Sequence, residues 1–148
     1  MSALYLDTSC LLKLFFPEPE SPHVALAIAA EEEVLVSELA LLEAETQMRA
    51  RLLGGLLTKS RHRRLATELE RMLKSEPFAR SPFPSDGVER ARRMATSLKV
   101  HARTLDLLHL AAMEAHGVSR LFTNDRGQAA AARAFGVAVV EPAAPKSK

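Results

Sequence analysis

The chain has 148 residues, 47% apolar and 26% charged, with six glycines, eight prolines and one cysteine. That is a single-domain length, able to bury roughly 68–70% of the unfolded surface, and no apolar run approaches the roughly 18 residues a membrane helix needs. Lone Cys10 excludes an internal disulfide and a thiolate zinc cluster, and a formal net charge of +2 is too small to argue nucleic-acid binding by itself.

Taken in chain order, Ala3 to Asp7 reads as a short buried strand and Thr8 to Phe16 as a helix stopped by "PEPESP". With a strand pattern opening the chain, no targeting signal is expected. A second helix starts at Ser21 or Pro22 and runs to the Glu31–Glu33 triplet. "VLVS" (34–37) is a strand whose serine suits the cap of a helix from Glu38 to about Leu53, closed by Gly54 and Gly55. On that helix the apolar stripe reads Leu39, Leu42, Thr46, Ala50 and Leu53, with Glu43 beside it. A helix over about 58–74 follows, then a short strand at "FARSPF" (78–83), although Pro82 lies inside it. Ser85 and Asp86 open a helix to about Leu98, and Thr104 caps another that ends near Gly117. "RLFT" (120–123) is a strand, Arg126 to Phe135 a helix and "VAVV" (137–140) the last strand. Residues 1–141 are expected to form one domain, and 142–148 a disordered tail.

Short continuous apolar strands separated by helices predict a central parallel sheet flanked by helices on both faces, a three-layer α/β/α arrangement. Ligands in such sheets bind beyond the carboxyl ends of the strands. The chain has only four aspartates, and three of them fall at places of that kind. Asp7 ends the first strand, Asp125 follows "LFTN", and Asp106 lies in the first turn of "TLDLLHLAAMEAHG". Taken singly, Asp7 reads as a helix cap and Asn124-Asp125-Arg126-Gly127 as a turn. Asp106 is harder to dismiss, because its helix is otherwise almost wholly apolar and a buried carboxylate needs a partner. Arg103 and His109, each three residues away, are the internal candidates, and His109 alone reads as a packed helix residue. Cys10 reads as a small buried hydrophobe, which suits a reducing cytoplasm.

Taken together, Asp7, Asp106, Asp125 and the half-buried Glu43 would repel one another if folding gathered them. A hard divalent cation resolves the conflict, and an all-oxygen ligand set is the magnesium pattern, with manganese an alternative. The arginine-rich clusters "RHRR" (61–64) and "ERARR" (89–93) suit phosphate, but each reads first as a solvated helix face.

"YLDTS", "SELALLE", "TLDLLHLAA" and "LFTNDRGQAAAARAFGVAVV", in that order, resemble the PIN-domain ribonucleases, most closely VapC-type toxins of bacterial type II toxin–antitoxin pairs. The likeness covers the first and last thirds of the chain, and the helical middle carries no motif of the family. It implies a magnesium site of Asp7, Glu43, Asp106 and Asp125, supported by Thr8, Ser9, Thr123 and Asn124. It further implies a cytoplasmic, homodimeric endoribonuclease that hydrolyses RNA and is silenced by a small antitoxin.

Two rivals come from other classes. An aspartyl-nucleophile phosphatase wants a second aspartate two residues after the first, where this chain has Ser9. A non-catalytic PIN-like module would bind RNA or a partner protein with the acids vestigial.

Overall fold

Each strand is a run of three or four mostly apolar residues, and alternate side chains enter opposite layers. In a computed structural model describing residues 2–142, the strands are β1 (Leu4–Leu6), β2 (Val34–Ser37), β3 (Phe78–Ser81), β4 (Arg120–Phe122) and β5 (Ala138–Val140). They form one parallel sheet in the order β3-β2-β1-β4-β5. The helices are α1 (Thr8–Leu12), α2 (Ser21–Ala29), α3 (Glu38–Leu53), α4 (Lys59–Leu73), α5 (Gly87–Thr96), α6 (Thr104–Ala115) and α7 (Arg126–Ala134). On β1, Leu4 and Leu6 enter a core with residues of α1 to α4, whereas Tyr5 enters a second core with α5, α6 and α7. On β4, Phe122 joins the first core and Leu121 the second. These are the three layers expected.

The chain builds the sheet outward from β1 in one direction through β2 and β3, then returns to the other side for β4 and β5. The direction of winding therefore reverses between β1 and β4, where open parallel sheets leave a crevice at their carboxyl edge. Asp7 follows β1 at that edge, and the Thr123–Asp125 segment follows β4 beside it. Gly117 and Gly136, with φ of 67° and 78°, end α6 and α7 in the left-handed region and turn the chain into the next strands.

Several local expectations are corrected. Helix α1 stops at Leu12, and residues 13–16 continue in a tighter winding held largely by i→i−3 backbone bonds. Thr104 is not the cap of α6: Arg103 occupies that position, and the Asp106 carboxylate reaches back to its backbone N–H at 2.9 Å. The stripe of α3 that faces the core is Ala40, Leu41, Ala44 and Met48, whereas Leu42 and Leu53 are 63% and 76% exposed. Helix α3 carries two apolar stripes, and tertiary packing buries the one with Ala40, Leu41, Ala44 and Met48. Strand β3 ends at Ser81, so Pro82 falls just outside an edge strand, where a missing N–H costs nothing. The expected tail lies outside the described residues except for Pro142, which is buried. Among the described residues, no helix is long and apolar enough to cross a membrane.

Helix α5 starts under an aromatic lid. A Cβ on Gly87 would lie 2.5 Å from Cζ of Phe83, which packs against the second core. Gly87→Val should therefore force the ring out and destabilise the protein by about 1–3 kcal/mol. The midpoint of urea unfolding measures it, and an unshifted midpoint would mean the ring moves at no cost.

Candidate active site

Asp7 begins at the end of β1, where its backbone N–H donates to the Phe122 carbonyl at 3.0 Å. Although it occupies the cap position of α1, its side chain accepts no capping bond from that helix. Instead Oδ2 accepts from the Thr123 hydroxyl at 2.7 Å and the Ser9 hydroxyl at 3.0 Å. Thr123 Oγ1 in turn accepts from the Asp125 N–H at 3.0 Å, and Ser9 Oγ from the Asn124 N–H at 3.1 Å. The two strand ends are thus laced through hydroxyls, with Asn124 contributing its backbone. Asp7 is buried, and Oδ1 accepts no hydrogen bond among the described residues.

Glu43 arrives from the second turn of α3, whose register is fixed by its cap. Ser37 Oγ accepts from the Ala40 N–H at 3.1 Å. Glu43 Oε1 accepts from the Thr8 hydroxyl at 3.1 Å and also meets Nε2 of His109. His109 sits one turn after Asp106 on α6 and is 2% exposed. Its Nδ1 is 2.7 Å from the Tyr5 hydroxyl, which donates at 2.8 Å to Ser37 Oγ. A carboxylate only accepts, so Nε2 is the ring nitrogen that donates to Glu43, while Nδ1 meets the Tyr5 hydroxyl. Nε2 also lies 3.9 Å from Asp7 Oδ1. Burial raises the Tyr5 phenol far above its usual range, so it stays a neutral link.

Asp106 and Asp125 share one cation. Arg103 donates through Nε to Asp106 Oδ2 at 3.1 Å, and through Nη2 to Asp106 Oδ1 at 3.0 Å and Asp125 Oδ2 at 2.6 Å. Asp125 also caps α7, with Oδ1 accepting from the Gln128 N–H at 3.1 Å. Burial pushes the Asp125 carboxyl up, but the Gln128 N–H and the Arg103 guanidinium outweigh it and hold it below the usual range. Asp125 caps a helix where the sequence reads a turn, the ion-pair reading of Asp106 holds through Arg103, and neither role removes those residues from the cavity.

All four acids line one cavity of about 530 Å³, together with Thr8, Ser9, His109 and Arg103. As the side chains stand, no three His, Cys, Asp or Glu residues among those described are close enough to hold an ion. The Arg103 guanidinium lies between Asp106 and Asp125, on a side chain that is 59% exposed. The sequence offers Glu43 as a site acid and His109 as a packed helix residue or a partner for Asp106, but gives Tyr5 no role and no sign that His109 meets Glu43 instead. Cys10 lies outside the cavity lining, and burial, with the Asp7 charge, pushes its thiol up to about 12. It is an inert core residue.

A family model described as the PIN domain matches residues 4–134. The chain is 32% identical over 145 residues to Ribonuclease VapC46 of Mycobacterium tuberculosis, an alignment covering 96% of this chain and 99% of that protein. The crystal structure of Mycobacterium tuberculosis VapC20, a sarcin–ricin loop cleaving toxin, superposes with a TM-score of 0.66 at 18% identity, covering 86% of this chain and 94% of that one. A chain of a toxin–antitoxin complex from Klebsiella pneumoniae superposes with a TM-score of 0.65 at 22% identity, covering 97% and 100%. At these identities the two structures speak to the fold.

Proposed function

The chain belongs to the PIN domain family, and from that footing we propose that it is a divalent-metal-dependent endoribonuclease, the toxin of a toxin–antitoxin pair. The observation that carries this reading is the gathering of Asp7, Glu43, Asp106 and Asp125 around one cavity at the carboxyl edge of the sheet.

The donor chemistry fits a hard cation. Asp7 and Glu43 each keep one carboxylate oxygen with no hydrogen bond among the described residues. Asp106 and Asp125 share one exposed arginine, which offsets one of their two charges and sits on a long flexible stem that can turn outward. Asp7, Glu43, Asp106 and Asp125 would hold the ion, and carboxylate oxygens alone favour magnesium or manganese over zinc. Bound there, such an ion lowers the pKa of water and neutralises charge on the phosphoryl group. The chain's own groups set the donors: Thr123 and Ser9 fix Asp7, while His109 and Thr8 fix Glu43.

RNA as substrate follows the activity named for Ribonuclease VapC46, and a cognate antitoxin follows the Klebsiella pneumoniae complex. We extend the reading to a cytoplasmic homodimer, as the family resemblance implies. The test is the chemistry of the cut ends. Hydrolysis by water leaves a 5′-phosphate and a free 3′-hydroxyl, whereas attack by the ribose 2′-hydroxyl leaves a cyclic phosphate. Mapping the ends of cleaved RNA should find 5′-phosphates, and cyclic phosphates would overturn the mechanism. A non-catalytic module would yield no cleavage at any ion concentration.

His109 acts through Glu43. Partners of that kind commonly cost 10–100-fold in metal affinity or activity when removed. His109→Leu should therefore weaken manganese binding by about that factor in a calorimetric titration, and His109→Gln, which keeps an N–H near the Nε2 position, should recover part of it. Equal affinities in all three proteins would reduce His109 to packing.

A further inference from the structure

The cavity does not end at the carboxylates. Glu43, Gln47 and Arg51 recur every four residues along α3, so they share a face, and all three line the cavity. Eight residues at 1.5 Å each carry that row about 12 Å from the acidic end. At its far end the Arg51 guanidinium lies over the ring of Phe16, 3.9 Å from the centroid. Phe16 is held from behind by Met48, Leu57 and Leu65 and cannot easily move.

The other cations around the cavity are engaged. Lys13 bonds to Glu18 and Glu20, and Arg103 to Asp106 and Asp125. Arg51 differs: among the described residues its guanidinium has no hydrogen bond or ion pair, only the Phe16 ring, and the Gln47 amide has no hydrogen bond either. A planar cation is thus held over an aromatic ring with its donors unspent, beside an amide able both to donate and to accept.

We propose that Arg51, backed by Phe16 and assisted by Gln47, is a subsite for an unpaired nucleobase of the RNA strand whose phosphodiester lies at the acidic end. The inference rests on the nuclease reading above and deepens it. Unpaired bases stack on guanidinium planes and aromatic rings, and their edges are read by side-chain amides. A base inside a duplex offers neither face, so the subsite selects loops or single-stranded RNA. An acidic side chain of a protein partner would pair with the edge of the Arg51 guanidinium but leave its face unused.

The test uses the full-length protein with an RNA that the wild type cuts, steady-state kinetics of Arg51→Ala, Arg51→Lys and Gln47→Ala, and substrates carrying a single abasic nucleotide at successive positions around the cut. Arg51→Ala should raise KM about tenfold, within the range for losing one stacked base, with kcat little changed. Arg51→Lys should fail to restore it, having the charge without the plane. An abasic nucleotide at one position near the cut should impose the same loss on the wild type and no further loss on Arg51→Ala. Unfolding midpoints close to the wild-type value keep the comparison free of folding effects. If Arg51→Lys matches the wild type, or abasic substitution has no effect at any position, the subsite is overturned while the nuclease reading stands. If Arg51→Ala weakens antitoxin binding but leaves KM for RNA unchanged, the surface belongs to the protein partner and the proposal fails. A wild type that cuts no RNA with magnesium or manganese sinks both readings together.

Discussion

Asp7→Asn should abolish cleavage, by about a thousandfold or more, while leaving the protein folded. Asparagine has the shape of aspartate, and its side-chain oxygen can still accept from Thr123 and Ser9. Helix α1 loses nothing, because Asp7 gives it no side-chain cap. What disappears is one negative charge at the point where β1 and β4 diverge. Electrostatic stabilisation of phosphoryl chemistry is worth several kcal/mol, and each 1.36 kcal/mol is a factor of ten in rate. Cleavage assays and thermal unfolding of both proteins check the two halves of the claim. In cells the variant should no longer arrest growth, and equal arrest by both proteins would contradict the toxin-nuclease assignment.

Chelation should silence the enzyme as completely and yet spare its fold. EDTA is expected to remove all measurable cleavage, and magnesium or manganese to restore it. A structural metal site would unfold when stripped. Here Arg103 bridges Asp106 and Asp125 without any ion and offsets one of their two charges, and Thr123, Ser9, Thr8 and His109 hold the other two acids in place. The unfolding midpoint in EDTA should therefore fall only by the linkage term for a weakly held ion, RT ln(1 + [L]/Kd). Full activity in EDTA would remove the ion from the account, and collapse of the fold would make it structural.

The order of strands and helices was legible because short apolar runs alternate with capped helical segments, as at Ser37, whose hydroxyl does accept from Ala40. The acids were legible for a similar reason: a parallel sheet puts every strand end on one edge, so Asp7 and Asp125 were expected on the same edge, and the pairing of β1 with β4 is what makes them neighbours. The inward face of α3 was not, since both of its stripes are apolar and only tertiary packing decides between Leu42 and Leu41. Periodicity likewise could not see that His109 would meet Glu43 across 66 residues of chain. Asp106 was read correctly as needing a partner. That Arg103 would serve it and Asp125 at once depends on a helix start and a strand end meeting in space.

Titration of the purified, metal-free protein with manganese, followed by calorimetry, reaches the central claim most directly. The wild type should bind the ion saturably, Asp7→Asn should lose that binding, and Arg103→Met should bind more tightly, because the arginine competes for the same two carboxylates. Identical isotherms for wild type and Asp7→Asn would contradict a shared ion site.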